Sequence, residues 1–137
     1  MKREIEKARV LIEALPYIQR FAGSIVVVKY GGSAMSDTEI KNSTMKDIAM
    51  MKMIGMRPVV IHGGGPSISE MMERLGKKSS FVDGLRVTDS ETAMIAEMVL
   101  SGTISKDLVL SLQRQGIDAV GINGKDGQTL LARKKLV

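Results

Sequence analysis

The sequence predicts an α/β fold, an open, mainly parallel twisted sheet with helices on both faces. Two observations predict it. Short apolar, β-branched runs alternate along the chain with segments whose apolar residues recur every three to four positions. Two of those runs also end in glycines about thirty residues apart: Val26-Val27-Val28-Lys29-Tyr30-Gly31-Gly32-Ser33 and Val59-Val60-Ile61-His62-Gly63-Gly64-Gly65-Pro66. Each brings a strand to a sheet edge, where glycines let bare backbone N–H groups approach a ligand.

Residues 4 to about 20 read as an amphipathic helix on Ile5, Ala8, Leu11, Ile12, Leu15 and Ile18, which Pro16 should kink or break. Gly23 leads into a strand at 25–29. Ser36-Asp37-Thr38-Glu39 is a capping-box pattern for a second helix, with Ile40, Thr44, Ile48 and Met51 inward and Gly55 as its stop. A strand at 58–62 follows. Pro66 stands where a first helical residue should, and Ile68, Met71, Met72 and Leu75 repeat at helical spacing as far as Gly76. Residues 80–87 read as a hairpin turning at Asp83-Gly84. Thr88-Asp89-Ser90-Glu91 is a second capping box, opening a helix to about 101. Gly102 interrupts it, and a further helix at 104–115 is capped by Gly116. A strand at 119–122, a turn at Gly124-Lys125-Asp126-Gly127 and a last strand at 128–132 complete the reading.

The 137 residues suffice for one domain, and 44% apolar with 26% charged residues is ordinary for a globular protein. A net charge of +5 suits small anionic ligands, and the clear basic cluster is Arg133-Lys134-Lys135. Four aromatic residues (Tyr17, Phe21, Tyr30, Phe81) are too few for a base-stacking platform, which argues against nucleic acid. Without cysteine there are no disulfides or thiolate metal sites, and one histidine makes no metal cluster. No run approaches the ~20 apolar residues of a membrane span. A cytoplasmic protein is expected. The methionines gathered at 45, 50, 51, 53 and 56 read as adaptable core filling, with a subunit interface as the alternative.

Lys29 closes the first strand beside Gly31 and Gly32, where its ammonium could neutralise a phosphoryl group in transfer. The alternative is a lysine snorkelling at a sheet edge. The N–H groups of Gly63-Gly64-Gly65, with a helix dipole behind them, could hold a carboxylate or phosphate. The spacing is neither a Walker A loop nor a dinucleotide fingerprint. His62 reads as a strand-end residue bonded to backbone. Arg86, after the hairpin turn, could clamp a carboxylate bidentately or be simply solvated. Lys125 and Asp126 read as turn residues.

Taken together, Lys29–Met35, His62–Pro66, Gly84–Asp89 and Ala119–Gly127 resemble the amino-acid kinase family, and within it the N-acetylglutamate kinases. The resemblance runs over essentially the whole chain. It implies an amino-acid kinase-like fold and transfer of the γ-phosphoryl of ATP, with Mg2+, to the side-chain carboxylate of N-acetyl-L-glutamate in arginine biosynthesis. It implies that Lys29 stabilises the phosphoryl in flight. Gly31 and Gly32 would bind phosphate, Gly64 and Gly65 would face the substrate, and Arg86 would take its α-carboxylate under a hairpin lid. Segment 1–22 resembles the helix that interlaces subunits in the arginine-inhibited, hexameric members, although a helix packed on its own domain fits equally well. A homo-oligomer, dimer or hexamer, follows from the resemblance.

Family members are about twice this long, and their ATP-binding half does not match within 1–137. The chain therefore reads as one amino-acid-binding N-terminal domain, inactive alone. Kinases of the same family acting on aspartate, glutamate, carbamate or a nucleotide remain an alternative, as does a non-catalytic anion-binding or oligomerisation module.

Overall fold

Two parallel strands, β1 (Ile25–Tyr30) and β2 (Arg57–His62), pair in register from Ile25 opposite Arg57 to Tyr30 opposite His62. They belong to a computed structural model that describes residues 1–133, with the side chains of Ser33 and Ser36 excepted. The chain divides into two units, residues 1–62 with 115–117, and residues 63–114 with those from 118 on.

In the first unit, α1 (Lys2–Phe21) precedes β1, and α2 (Ser33–Ser36) and α3 (Thr38–Met53) connect β1 to β2. A helical connection between parallel neighbours is what a parallel pair requires. The expected break at Pro16 does not occur, and α1 runs through it to Phe21. Proline removes one N–H and crowds the preceding turn, but the long run before it, rich in Ala, Leu, Glu and Lys, favours the helix and one further turn follows. The amide of Gly23 donates to the Gly55 carbonyl (2.7 Å) and that of Arg57 to the Ser24 carbonyl (2.8 Å), which ties the end of α1 to the end of α3. None of the residues of α1 is buried.

Asp37, not Ser36, caps α3, its carboxylate accepting from the amides of Glu39 (2.8 Å) and Ile40 (3.0 Å). The buried side of α3 is Met45, Ile48 and Ala49, which with Tyr30 form this unit's core. Of the face expected to point inward, Ile48 is buried, Thr44 and Met51 are half-buried, and Ile40 is exposed. One face of the parallel pair is also exposed, carrying Ile25, Val27 and Lys29 on β1 and Arg57, Val59 and Ile61 on β2. The chain is thus α/β with a parallel sheet. Helices on both faces of an open sheet are seen only in part among the described residues.

In the second unit, α4 (Gly65–Arg74) starts one residue before Pro66. The hairpin forms as expected from β3 (Phe81–Val82) and β4 (Leu85–Arg86). Asp83 and Gly84 take positive φ (49° and 76°), the combination a two-residue turn of this twist needs. Asp89, not Thr88, caps α5 (Ser90–Glu97). Gly102 does not interrupt the helix. The chain continues through a π-helical stretch, Met98–Ile104, into α6 (Ser105–Gln113). Continuity follows from packing, because Ile95, Val99, Ile104, Leu108 and Leu112 bury along one side, with Ile68 and Met72 of α4. Against that burial, one glycine costs a helix only about 1 kcal/mol.

The strands expected at 119–122 and 128–132 find no ladder partner among the described residues, and Val120, Ile122, Leu130 and Leu131 are exposed. Between them Asn123 and Asp126 make the turn: the Asn123 amide donates to the Asp126 carboxylate and the Lys125 amide to the Asn123 side chain. Of the basic cluster at 133–135, Lys134 and Lys135 lie outside the described residues. The methionines divide. Met45 and Met72 are wholly buried, whereas Met50, Met53, Met94 and Met98 are more than half exposed.

Candidate functional site

The in-register pairing of Tyr30 with His62 means that both glycine turns start from the same edge of the parallel pair. Lys29 stands one residue back, opposite Ile61, on the exposed face. Tyr30 fixes the first turn. Its ring is buried, and its hydroxyl donates to the Ala34 carbonyl at 2.6 Å. The Met35 amide donates to the Gly32 carbonyl (3.1 Å), and Gly32 has φ +61°, a conformation that strains any other residue. A Cβ built on Gly31 or Gly32 would meet nothing within 4 Å, so the backbone here faces open space. Lys29, Gly31 and Gly32 therefore form one cluster at the end of β1.

Gly64, Gly65 and Arg86 form another, in the second unit. Gly64 caps α4, and its φ of 169° is open to any residue. Packing is close there, since a Cβ would lie 2.6 Å from both Leu100 Cδ2 and Ile104 Cδ1, and those side-chain ends would have to shift to admit it. Such overfilling costs about 1–3 kcal/mol. Gly65 meets no such neighbour and is exposed. Arg86 reaches back from β4 to the first turn of α4. One guanidinium nitrogen, Nη2, donates to the Gly65 carbonyl (3.0 Å) and the Ser69 hydroxyl (2.8 Å). The other, Nη1, donates to the Ser79 hydroxyl (2.7 Å) and contacts the Met72 sulfur (3.4 Å). The guanidinium also lies 4.7 Å from the centre of the Phe81 ring. A cation is thus fixed beside a helix N-terminus, where its charge and the helix dipole add in attracting an anion.

Sequence reasoning missed Lys77. Its ammonium donates to Asp89 Oδ2 (2.8 Å) and to the Glu91 carboxylate, while Asp89 Oδ1 accepts from the Thr92 amide (2.7 Å). The Lys77 hydrogen bond, then those with Thr92, hold the Asp89 carboxyl well below the usual range, and the bonds to Asp89 and Glu91 raise Lys77 above its own. A depressed carboxyl contributes stability that is present above its unfolded value of about 4 and is lost as pH falls below it. The raised lysine contributes below its ordinary value of about 10.4 and loses that as pH rises further. Asp89→Asn keeps the helix cap and removes the charge. Its melting temperature should therefore fall less than that of the wild type between about pH 5 and pH 3. Parallel acid limbs would show that the Asp89 charge is not coupled to folding.

A cleft of about 550 Å³ lies against the π-helical stretch, lined by Glu97, Ser101, Ser105, Lys106, Asn123 and Asp126 among others. It includes none of the sequence-predicted site residues. Among the described residues no three His, Cys, Asp or Glu side chains gather in a way that could hold a metal ion. No described helix is long and apolar enough to cross a membrane.

Compared with known proteins, residues 24–136 match the amino acid kinase family. The chain is 56% identical over 132 residues to an acetylglutamate kinase of Alcanivorax borkumensis and 54% identical over 133 residues to one of Saccharophagus degradans. These alignments cover 96% and 97% of the chain, which spans about 44% of the length of either relative. Among solved structures it is similar to an N-acetylglutamate synthase of Neisseria gonorrhoeae complexed with coenzyme A and N-acetyl-glutamate. That match has a TM-score of 0.66 at 26% identity and covers 80% of this chain and 26% of the other. With a match over most of its length, the chain belongs to the amino acid kinase family.

Proposed function

We propose that residues 1–137 are the amino-acid-binding N-terminal domain of an acetylglutamate kinase. In the whole enzyme, the side-chain carboxylate of N-acetyl-L-glutamate attacks the γ-phosphorus of ATP, an acyl phosphate forms and ADP leaves. The observation that carries this reading is the register of β1 and β2, which sets Tyr30 opposite His62 with glycines following each, and Lys29 one residue back on β1. Names of relatives at over 50% identity support the acetylglutamate substrate over aspartate, glutamate, carbamate or a nucleotide.

Catalysis of this kind is positioning plus charge neutralisation. Lys29 neutralises the transferring phosphoryl. The amides of Gly31 and Gly32 donate to phosphate oxygens. Gly64 and Gly65 present the N-terminus of α4 to the substrate, and Arg86 takes the α-carboxylate. The remainder of the enzyme would hold ATP, and Mg2+ would supply positive charge to offset that of the transferring phosphoryl. The exposed apolar residues of α1, among them Val10, Leu11 and Ile12, support segment 1–22 as an oligomerisation element in a cytoplasmic dimer or hexamer.

Calorimetry on the 137-residue chain should register weak acetylglutamate binding, with no acyl phosphate formed when ATP is added. A folded sample that gives no binding heat sinks the first half of the proposal, and appreciable acyl phosphate sinks the second.

A further inference from the structure

The hairpin that carries Arg86 is pinned at its base. Segment 78–88 leaves the chain just after α4 and returns at the cap of α5, and Lys77 and Asp89 are the residues on either side of it. Their side chains meet at 2.8 Å, and Glu91 binds the same ammonium. The Lys77 side chain is 22% exposed, against 61% and 65% for its two partners. It is therefore less screened and less free than an ordinary surface lysine.

The Asp89 carboxylate uses both oxygens, one on Lys77 and one on the Thr92 amide, so the clamp is continuous with the α5 cap. On the other side, the Lys77 amide donates to the Met72 carbonyl (2.8 Å), which anchors the lysine to the end of α4. Closing both ends of a segment removes much of its conformational freedom. Within the closed segment the Val87 amide donates to the Ser80 carbonyl (3.0 Å), and Arg86 reaches Ser69 and the Gly65 carbonyl.

We propose that Lys77 is a positioning residue: bridging Asp89 and Glu91, it closes the base of segment 78–88 and so sets where the Arg86 guanidinium stands against α4. It touches no substrate and acts through Arg86. Its consequence for ligand binding rests on the reading of Arg86 as the carboxylate ligand. The shifts of Lys77 and Asp89 keep both partners charged across the neutral range, which suits a permanent clamp rather than a switch.

The test compares the 137-residue wild type with Lys77→Met and Lys77→Arg. Hydrogen exchange at the Val87 amide should quicken about tenfold in Lys77→Met and return to within about twofold of wild type in Lys77→Arg. Amides of the β1–β2 ladder should be unchanged. Acetylglutamate affinity by calorimetry should fall by a similar factor in Lys77→Met and recover in Lys77→Arg. Unchanged Val87 exchange, exchange that quickens throughout the chain, or failure of arginine to restore it would overturn the clamp. If Lys77→Met does not fold, Glu91→Ala removes one arm at an exposed residue and should quicken Val87 exchange by about two- to threefold. A wild-type chain that binds no acetylglutamate removes the assigned role of Arg86, while the exchange data still decide the clamp.

Discussion

Lys29→Ala, introduced into an enzyme that also carries the ATP-binding part, should lower kcat by about 100–1,000-fold, the loss that follows removal of one preorganised donor to developing charge. Lys29 is next to the last residue of β1, two positions before the first glycine of the turn. Its side chain is exposed and stands opposite Ile61, so truncation empties no buried space. Substitutions at such positions change stability by no more than about 0.5 kcal/mol. The expected signature is therefore a large fall in kcat with melting temperature held. If Lys29 acts as proposed, its charge matters most as the phosphoryl transfers, and KM for acetylglutamate should change far less than kcat. Arginine in its place keeps the charge but not its compact shape, and should recover only part of the rate. A turnover number equal to wild type would remove Lys29 from the mechanism.

How far the sequence carries the fold can be followed residue by residue. The strand-to-glycine turns, the Asp83-Gly84 hairpin and the helices flanking them were legible because their signals are local: β-branched runs, glycines at the ends of elements, and helical spacing. The misses are of two kinds: neighbouring local signals that compete with each other, and local signals that distant packing overrides. Ser36 and Thr88 fit the spacing of a capping box, yet Asp37 and Asp89, one residue on, take the caps with carboxylates that accept from nearby amides. Pro16 and Gly102 are local breakers. The helix continues past Gly102 because Val99, Ile104 and Leu108 hold it to the core of its unit. Ala119–Ile122 has a strand's composition, but a strand is defined by its partner, which the sequence of the segment does not contain.

The site shows the same division. That glycines crowd the end of β2 is legible; that Leu100 and Ile104 stand close against Gly64 is not, since those residues arrive from the far side of the hairpin and α5. Arg86 could be recognised as a candidate anion ligand, but its links to Gly65, Ser69 and Ser79 belong to tertiary structure. Lys77 carries no motif. Its partners lie twelve and fourteen residues away, across the hairpin. Tyr30 carries only the hint of an aromatic residue at a strand's end, and its bond to Ala34 is what shapes the first turn.

Arg86 tests whether that tertiary web serves binding or only folding. Arg86→Lys in the complete enzyme should raise KM for acetylglutamate about 10- to 150-fold, the equivalent of one charged hydrogen bond of about 1.5–3 kcal/mol. Lysine retains the positive charge beside the N-terminus of α4, so any loss measures geometry. The guanidinium spans Gly65 and Ser69 with one nitrogen and Ser79 and Met72 with the other, over the Phe81 ring, and an ammonium cannot make that planar fork. Those same contacts are structural, so a fall in melting temperature is also expected, equivalent to about 1–2 kcal/mol. The two effects separate by measuring KM well below the variant's melting point. If the web serves folding alone, the folded fraction binds acetylglutamate as the wild type does, and KM stays put while stability falls. If Arg86 grips the α-carboxylate, KM rises in a fully folded sample, and analogues lacking that carboxylate bind wild type and Arg86→Lys alike. That convergence is the decisive result, because a general distortion of the folded site, unlike loss of one carboxylate ligand, would weaken both ligands together.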